Sequence, residues 1–197
     1  MPVRTITAVI TDKTGTLAVE LDGERWLSLD AVEALYLGLQ MGAQVDTALQ
    51  QRAEQVARGN RALDRGARMI SRRSHARAEV EQRIAKQEGP DAARQAADRL
   101  TEIGALDDAR HARDVIAHRL QTGWGPERCS HDLTIAGVAD SVVRIALNEV
   151  DIDAIDRAAR IALDARSGPE GWRRLSSRGF DRDVAERVLG LPPDDAC

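Results

Sequence analysis

The chain has 197 residues and a net charge of −4, with 43% apolar, 30% charged and only 3% aromatic residues. Such proportions describe a globular protein, give a poor start for a nonspecific DNA binder, and leave too few rings (Trp26, Tyr36, Trp124, Trp172, Phe180) for a base-stacking platform. No apolar run reaches the eighteen or so residues of a membrane span, Met1–Thr5 leads into a strand pattern and not a signal peptide, and Cys129 and Cys197 make no disulfide framework, so a cytoplasmic protein without membrane contact is expected.

Residues 1–28 read as short strands. Thr5, Thr7, Val9 and Thr11 alternate with Ile6, Ala8 and Ile10, and Leu17, Val19 and Leu21 alternate in the next run. Asp12-Lys13-Thr14-Gly15 and Asp22-Gly23 are turn signals between them, giving a meander of two or three strands. From Ser28 the pattern is helical. Ser28 is placed to cap a helix carrying Leu29, Val32, Leu35 and Tyr36, ending near Gly38 or Gly42. Asp46 can cap the next, through Leu49, Ala53 and Val56, with Gly59 or Gly66 as interruptions and an end near Arg72. Ser74 is the expected N-cap of a helix over 76–86, and Pro90 opens another with Ala93, Ala96, Ala97 and Leu100 on one face. Asp107-Asp108 opens a helix with Val115, Ile116 and Leu120. Pro126 starts one through Cys129 and Leu133, and Val142, Ile145 and Ala146 mark the next. Three more follow on Ile155–Ala162, Trp172–Leu175 and Val184–Leu189.

A frame recurs in these helices: apolar residue, Gly, apolar residue. It stands as Leu133, Gly137, Leu147, again as Leu175, Gly179, Leu189, and with one residue added on each side as Ile84, Gly89, Leu100. Each reads as a helix end, a left-handed Gly turn and a second helix. The glycines fall 48 and 42 residues apart, a period typical of stacked helical units that present a long surface. The expected fold is therefore mainly α: an N-terminal β-meander with helices (1–58), three-helix repeats over 59–104, 105–150 and 151–191, and a frayed tail over 192–197. Charge is uneven along this array. Between Arg52 and Gln87 ten basic residues face four acidic ones, a net of +6.

Four strings carry a resemblance. They are Arg73-Ser74-His75-Ala76-Arg77 with its continuation to Ile84, Gly104-Ala105-Leu106-Asp107-Asp108-Ala109-Arg110-His111-Ala112, Gly123-Trp124-Gly125-Pro126-Glu127-Arg128, and Arg178-Gly179-Phe180-Asp181. Together, over roughly residues 60–190, the chain resembles the RecX family of regulators of the RecA recombinase. His111 stands where that family usually has an aromatic residue, and Gly89-Pro90 replaces a Gly-aromatic pair. The resemblance implies tandem three-helix repeats in an elongated, curved, monomeric molecule. It implies binding along the RecA filament on single-stranded DNA, inhibition of ATP turnover and strand exchange, and hence modulation of recombination, repair and the SOS response. It also implies no catalysis, cofactor or metal. Arg72, Arg73 and Arg77 at one helix start are candidates for DNA backbone or acidic filament loops, since arginine forks suit phosphates and carboxylates. Arg83, Lys86, Arg110, Arg119 and Arg128 are further contact candidates, and Trp124 is either a partner anchor or a plug between repeats.

Two other classes compete. Val9-Ile10-Thr11-Asp12-Lys13-Thr14-Gly15-Thr16-Leu17 reads like the phosphorylation loop of P-type ATPases and the haloacid-dehalogenase group, which would make Asp12 a nucleophile beside Mg²⁺. That chemistry needs a parallel sheet, and no strand pattern follows residue 28, so an ordinary Gly-containing turn is the preferred reading. A helical DNA-binding module is the other alternative, drawn from the basic stretch. Cys129 and His131 lack a second pair at zinc spacing, with Cys129 expected in the core. His75, His111 and His118 form no triad pattern, and no phosphate-binding G-x-x-x-x-G-K-[ST] occurs.

Overall fold

The computed structural model describes residues 3–13 and 15–190. The tail over 192–197, expected to fray and including Cys197, and Thr14 of the first turn lie outside the described residues. The chain forms strands β1 (Arg4–Thr11), β2 (Thr16–Leu21) and β3 (Glu24–Asp30), helix α1 (Ala31–Tyr36), strand β4 (Gln44–Val45) and helix α2 (Thr47–Ile70). Eight helices follow: α3 (Arg77–Glu88), α4 (Pro90–Glu102), α5 (Asp108–Gln121), α6 (Pro126–Ile135), α7 (Asp140–Asn148), α8 (Ile152–Leu163), α9 (Gly168–Ser177) and α10 (Arg182–Leu189). Two compact units result. Among the described residues, one holds those of 3–69 and 80–103; the other holds 70–79 and 104–190.

In the first unit the meander gains a fourth strand. The sheet order is β3-β2-β1-β4 and every pair is antiparallel. A bulge between Ile6 and Ala8 breaks the alternation of β1. One inserted residue moves every later side chain to the other face, so Ile6 and Val9 point to the core while Ile10 is exposed. Ser28 is not a cap. Strand β3 runs on to Asp30 because Leu27 and Leu29 are both buried in the sheet's apolar face. The cap is Asp30, whose carboxylate accepts from the Val32 N–H at 2.7 Å while Glu33 returns to the Asp30 N–H, a reciprocal capping box. The short helix turns Val32, Leu35 and Tyr36 outward, against the expected apolar stripe; Ala34 alone of α1 is buried.

Asp46 caps α2 through the Leu49 N–H, at 2.7 Å. Neither Gly59 nor Gly66 interrupts α2, which runs for 24 residues. Gly66 serves packing: a Cβ there would lie 2.6 Å from Leu100 Cδ1 and 3.3 Å from Ile84 Cδ1, the two apolar members of the first frame. Buried Glu88 ends α3 and pairs with Arg61 and Arg65 of α2, at 3.1 and 3.6 Å.

The second unit shares one core. Ile116, Leu120, Cys129, Leu133, Val143, Ala158, Ala159, Leu175, Phe180 and Val184 belong to a single buried cluster across α5–α10. Val143 and Ala146 face it from α7, whereas Ile145, expected inside, is exposed. Glycines 137 and 179 close α6 and α9 with positive φ, and Gly89 at the end of α3 has φ 84° with ψ 162°, an extended conformation open to glycine. On α10, Arg187 grips Asp156 of α8 through three hydrogen bonds of 2.8–3.1 Å.

Ser74 does not cap α3 either. The Arg77 N–H donates to Asp108 Oδ1 at 2.8 Å, across 31 residues. Ser74 Oγ instead meets His111 Nδ1 at 3.1 Å. Asp107 caps α5 by accepting from the Ala109 and Arg110 N–H groups. The two adjacent acids thus start two different helices. His111 is buried, and burial holds its pKa below the ordinary 6.5 against the pull of Asp108 and Glu79, with His75 and Arg73 adding to the depression.

The start of α6 is built on backbone. Gly125 donates its N–H to the Arg178 carbonyl at 2.8 Å, and Glu127 donates to the Gly179 carbonyl at 3.1 Å. A Cβ on Gly125 would sit 2.1 Å from the Gly179 oxygen; one on Gly179 would sit 2.6 Å from the Arg128 nitrogen.

Two outcomes are expected. Gly125→Ala should cost about 3 kcal/mol or more, because the obstructing atoms are backbone and cannot step aside; Gly89→Ala, with open space around it, should cost only the backbone penalty of its positive-φ extended conformation, about 1–3 kcal/mol. Urea unfolding of both variants measures this. For His111 the folded pKa lies below the unfolded one, so the unfolded chain binds the extra proton and stability falls as pH drops through about 6.5. His111→Phe should shrink the loss of thermal midpoint between about pH 7.5 and about pH 5.5, followed by circular dichroism.

Candidate functional site

Two groups of guanidiniums stand out in the second unit. The first surrounds a cleft of about 310 Å³ between the α2–α3 turn and the start of α5, with Arg72, Arg73 and Arg110 among its lining residues. The turn residues 71–76 follow the end of α2, and the Asp108 cap fixes where α3 begins. Arg73 Nη2 pairs with Glu79 Oε1 at 3.1 Å, and the other Glu79 oxygen lies 2.8 Å from Nδ1 of buried His75. Arg110 Nη2 donates to the Ala105 carbonyl at 3.1 Å, and more weakly to that of Gly104. Arg72 is exposed and makes no ion pair among the described residues. Of the three basic residues expected at this helix start, the cleft gathers Arg72 and Arg73 with Arg110, while Arg77 is not in its lining. Arg83 and Lys86 lie exposed further along α3, in the first unit.

The second group encircles Trp124. Gly123 and Gly125 flank the ring's backbone and are pressed on both sides, Gly123 against Ala162 and Gly125 against Gly179. That placement sets the half-buried indole beneath three arginines. Arg178 lies 4.2 Å from the ring centroid, Arg128 5.3 Å and Arg119 5.8 Å. Each is within cation–π range, about 0.5–2 kcal/mol depending on desolvation. Asp132 forms ion pairs with Arg119 at 2.6 Å and with Arg128 at 3.0 Å, so a single carboxylate stands between two of the three cations. Burial, then Arg174, pushes Arg178 below its ordinary pKa, although a guanidinium stays charged in a protein. Sequence reasoning singled out Arg119, Trp124 and Arg128 and missed Arg178. Only the contact of the α6 start with the α9–α10 turn brings that residue across.

A third concavity, about 530 Å³, lies among α5, α7 and α8 with Ile116, Leu120, Ala146 and Ile161 in its walls. Arg113 and Glu149 close one edge with hydrogen bonds of 2.7 and 3.3 Å, which lower the Glu149 carboxyl pKa. No pattern in the sequence flagged it.

Asp12 follows β1 of an antiparallel sheet, and its carboxylate accepts from the Thr16 N–H at 3.0 Å within the hairpin, not at the end of the parallel strand that the rival chemistry needs. Cys129 is fully buried, and burial pushes its thiol up to about 11. Among the described residues no three His, Cys, Asp or Glu side chains gather to hold a metal ion, and no helix is long and apolar enough to cross a membrane.

No family model matches the chain. Curated relatives do. The "Regulatory protein RecX" of Pseudomonas fluorescens is 34% identical over 139 residues, covering 64% of this chain and 89% of the relative. That of Ectopseudomonas mendocina (strain ymp) is 32% identical over 131 residues, covering 61% of this chain and 87% of the relative. A crystal structure of regulatory protein RecX superposes with a TM-score of 0.72 at 16% identity, over 94% of this chain and 98% of that one. The crystal structure of RecX from Lactobacillus salivarius gives 0.60 at 15% identity, over 68% and 95%. Those two share the fold; the curated relatives settle the kinship. The Gly123-Trp124-Gly125 joint, the paired acids at 107–108 and the recurring glycine turns are thus features of a chain that belongs to the RecX family of regulatory proteins.

Proposed function

We propose that this chain binds the RecA filament assembled on single-stranded DNA and slows its ATP turnover and strand exchange, as a monomer in the cytoplasm and without chemistry of its own. The observation that carries the reading is the gathering of guanidiniums on a tandem helical scaffold: three around the Arg72–Arg73–Arg110 cleft and three around Trp124. A protein of net charge −4 that sets six of its arginines in two tight groups is arranged for a polyanion or an acidic protein face. A filament repeats along its axis, so a series of helical trios, which we take as 59–104, 105–150 and 151–191, can meet it at successive points. Many weak contacts then add to a total that one cavity would not provide.

The measurement is RecA ATP hydrolysis on single-stranded DNA. Substoichiometric to near-stoichiometric protein should slow it; unchanged turnover at saturating protein overturns the reading. Arg72→Glu combined with Arg73→Glu should raise the half-inhibiting concentration about tenfold, equivalent to roughly 1.4 kcal/mol, while the far-ultraviolet circular dichroism stays that of the folded chain. Full inhibition by that folded variant would make the α2–α3 turn an ordinary solvated surface.

A further inference from the structure

We infer that the cleft at the α2–α3 turn is a seat for one phosphodiester of a nucleic-acid backbone. It deepens the filament proposal, resting on it for the presence of the strand, by naming the strand and not the recombinase as what this cleft touches. Its volume, about 310 Å³, suits a phosphate group with part of its sugar and is small for a folded protein element. Its polar lining includes three guanidiniums with Ser71 and Ser74. Two of the three forks are already held. Glu79 fixes Arg73, and the Gly104 and Ala105 carbonyls fix Arg110, so little side-chain freedom is lost when an anion arrives. Arg72 supplies the third fork. A phosphodiester offers its two free oxygens and two esters to donors on several sides.

Asp107 and Asp114 also line the cleft and Glu79 pairs with Arg73, so three carboxylates accompany the three guanidiniums, and a singly charged diester meets less repulsion here than a dianionic monoester. Asp107 is directed at its own helix, accepting from the Ala109 and Arg110 N–H groups, so it moderates the field without blocking the seat. The lining's one ring is His75, which is buried and occupied by Glu79. A base has nothing to stack on here, and the seat reads backbone without sequence.

The test uses the full chain labelled with nitrogen-15 arginine, without recombinase. Guanidinium Nε–Hε signals are followed at fixed ionic strength during titration with hexathymidylate, with a hexaglutamate peptide and with inorganic phosphate. Hexathymidylate should give saturable shifts at Arg72 and Arg110, at lower concentration than either other anion, with the Arg119 and Arg128 signals moving less. Arg72→Ala, an exposed change that leaves the core intact, should weaken the response severalfold and lower the slope of log affinity against log salt by about one. Saturation by hexaglutamate but not by hexathymidylate assigns the cleft to an acidic protein segment and overturns the inference. Tighter binding of inorganic phosphate, or no response to any of the three, overturns it as well. Inhibition of filament ATP turnover with a silent cleft sinks this inference alone; a responsive cleft without inhibition sinks the filament proposal alone.

Discussion

The helical half of the molecule depends on two helix ends meeting head to tail. A helix begins with N–H groups that lack partners and ends with carbonyls that lack them. Helix α6 has no side-chain cap at its start, because its N-cap is Gly125. Its donors are met by the carbonyls of Arg178 and Gly179 at the end of α9, so each end satisfies the other and the partial charges of the two termini attract. Backbone can come this close to backbone only if neither residue carries a Cβ, and the clash distances at Gly125 and Gly179 show how little room there is. The joint also delivers Arg178 to the face of Trp124. The joint and the arginine cluster therefore share a few residues, and the glycines on either side of the tryptophan are as necessary to its surroundings as the ring itself.

Much of this was legible in the chain. Left-handed glycine turns between short helices show as the recurring apolar–Gly–apolar frame, and proline at the first position of α4 and α6 marks their starts without ambiguity. What was not legible came from distant partners. Ser74 and Asp108 both have the chemistry of a cap, and only the packing of α5 beside the α2–α3 turn decides that the second caps α3 while the first engages His111. Nothing local announces the bulge in β1 either, since Ile6, Ala8 and Ile10 alternate perfectly in the sequence; the register with Leu21 and Glu20 overrides them. In the same way Arg178 sits more than fifty residues from Trp124, and no spacing rule joins them.

The basic stretch shows how a charge count differs from a charged surface. Of its ten cations, Arg61 and Arg65 are turned to buried Glu88 and hold α3 against α2, and Arg73 shares Glu79 with His75. A run that is net +6 in sequence is thus partly structural, and the guanidiniums left to meet a partner are fewer and better placed than the run suggests. Arginine suits both duties, because a planar fork can rest against one acceptor and still present donors to another.

The shared core of α5–α10 and the joint at Gly125 bear on how this polypeptide is made. Stacked-repeat proteins ordinarily complete one module before the next is needed, since each touches only its neighbours in sequence order. Here the acceptors for the beginning of α6 are translated about fifty residues later, at 178 and 179. During synthesis α5–α7 leave the ribosome with the start of α6 unanswered, and it stays so until α9 emerges. The last six helices therefore mature as one cooperative block, and a nascent chain halted before α9 holds an unfinished fold and not a shorter working one.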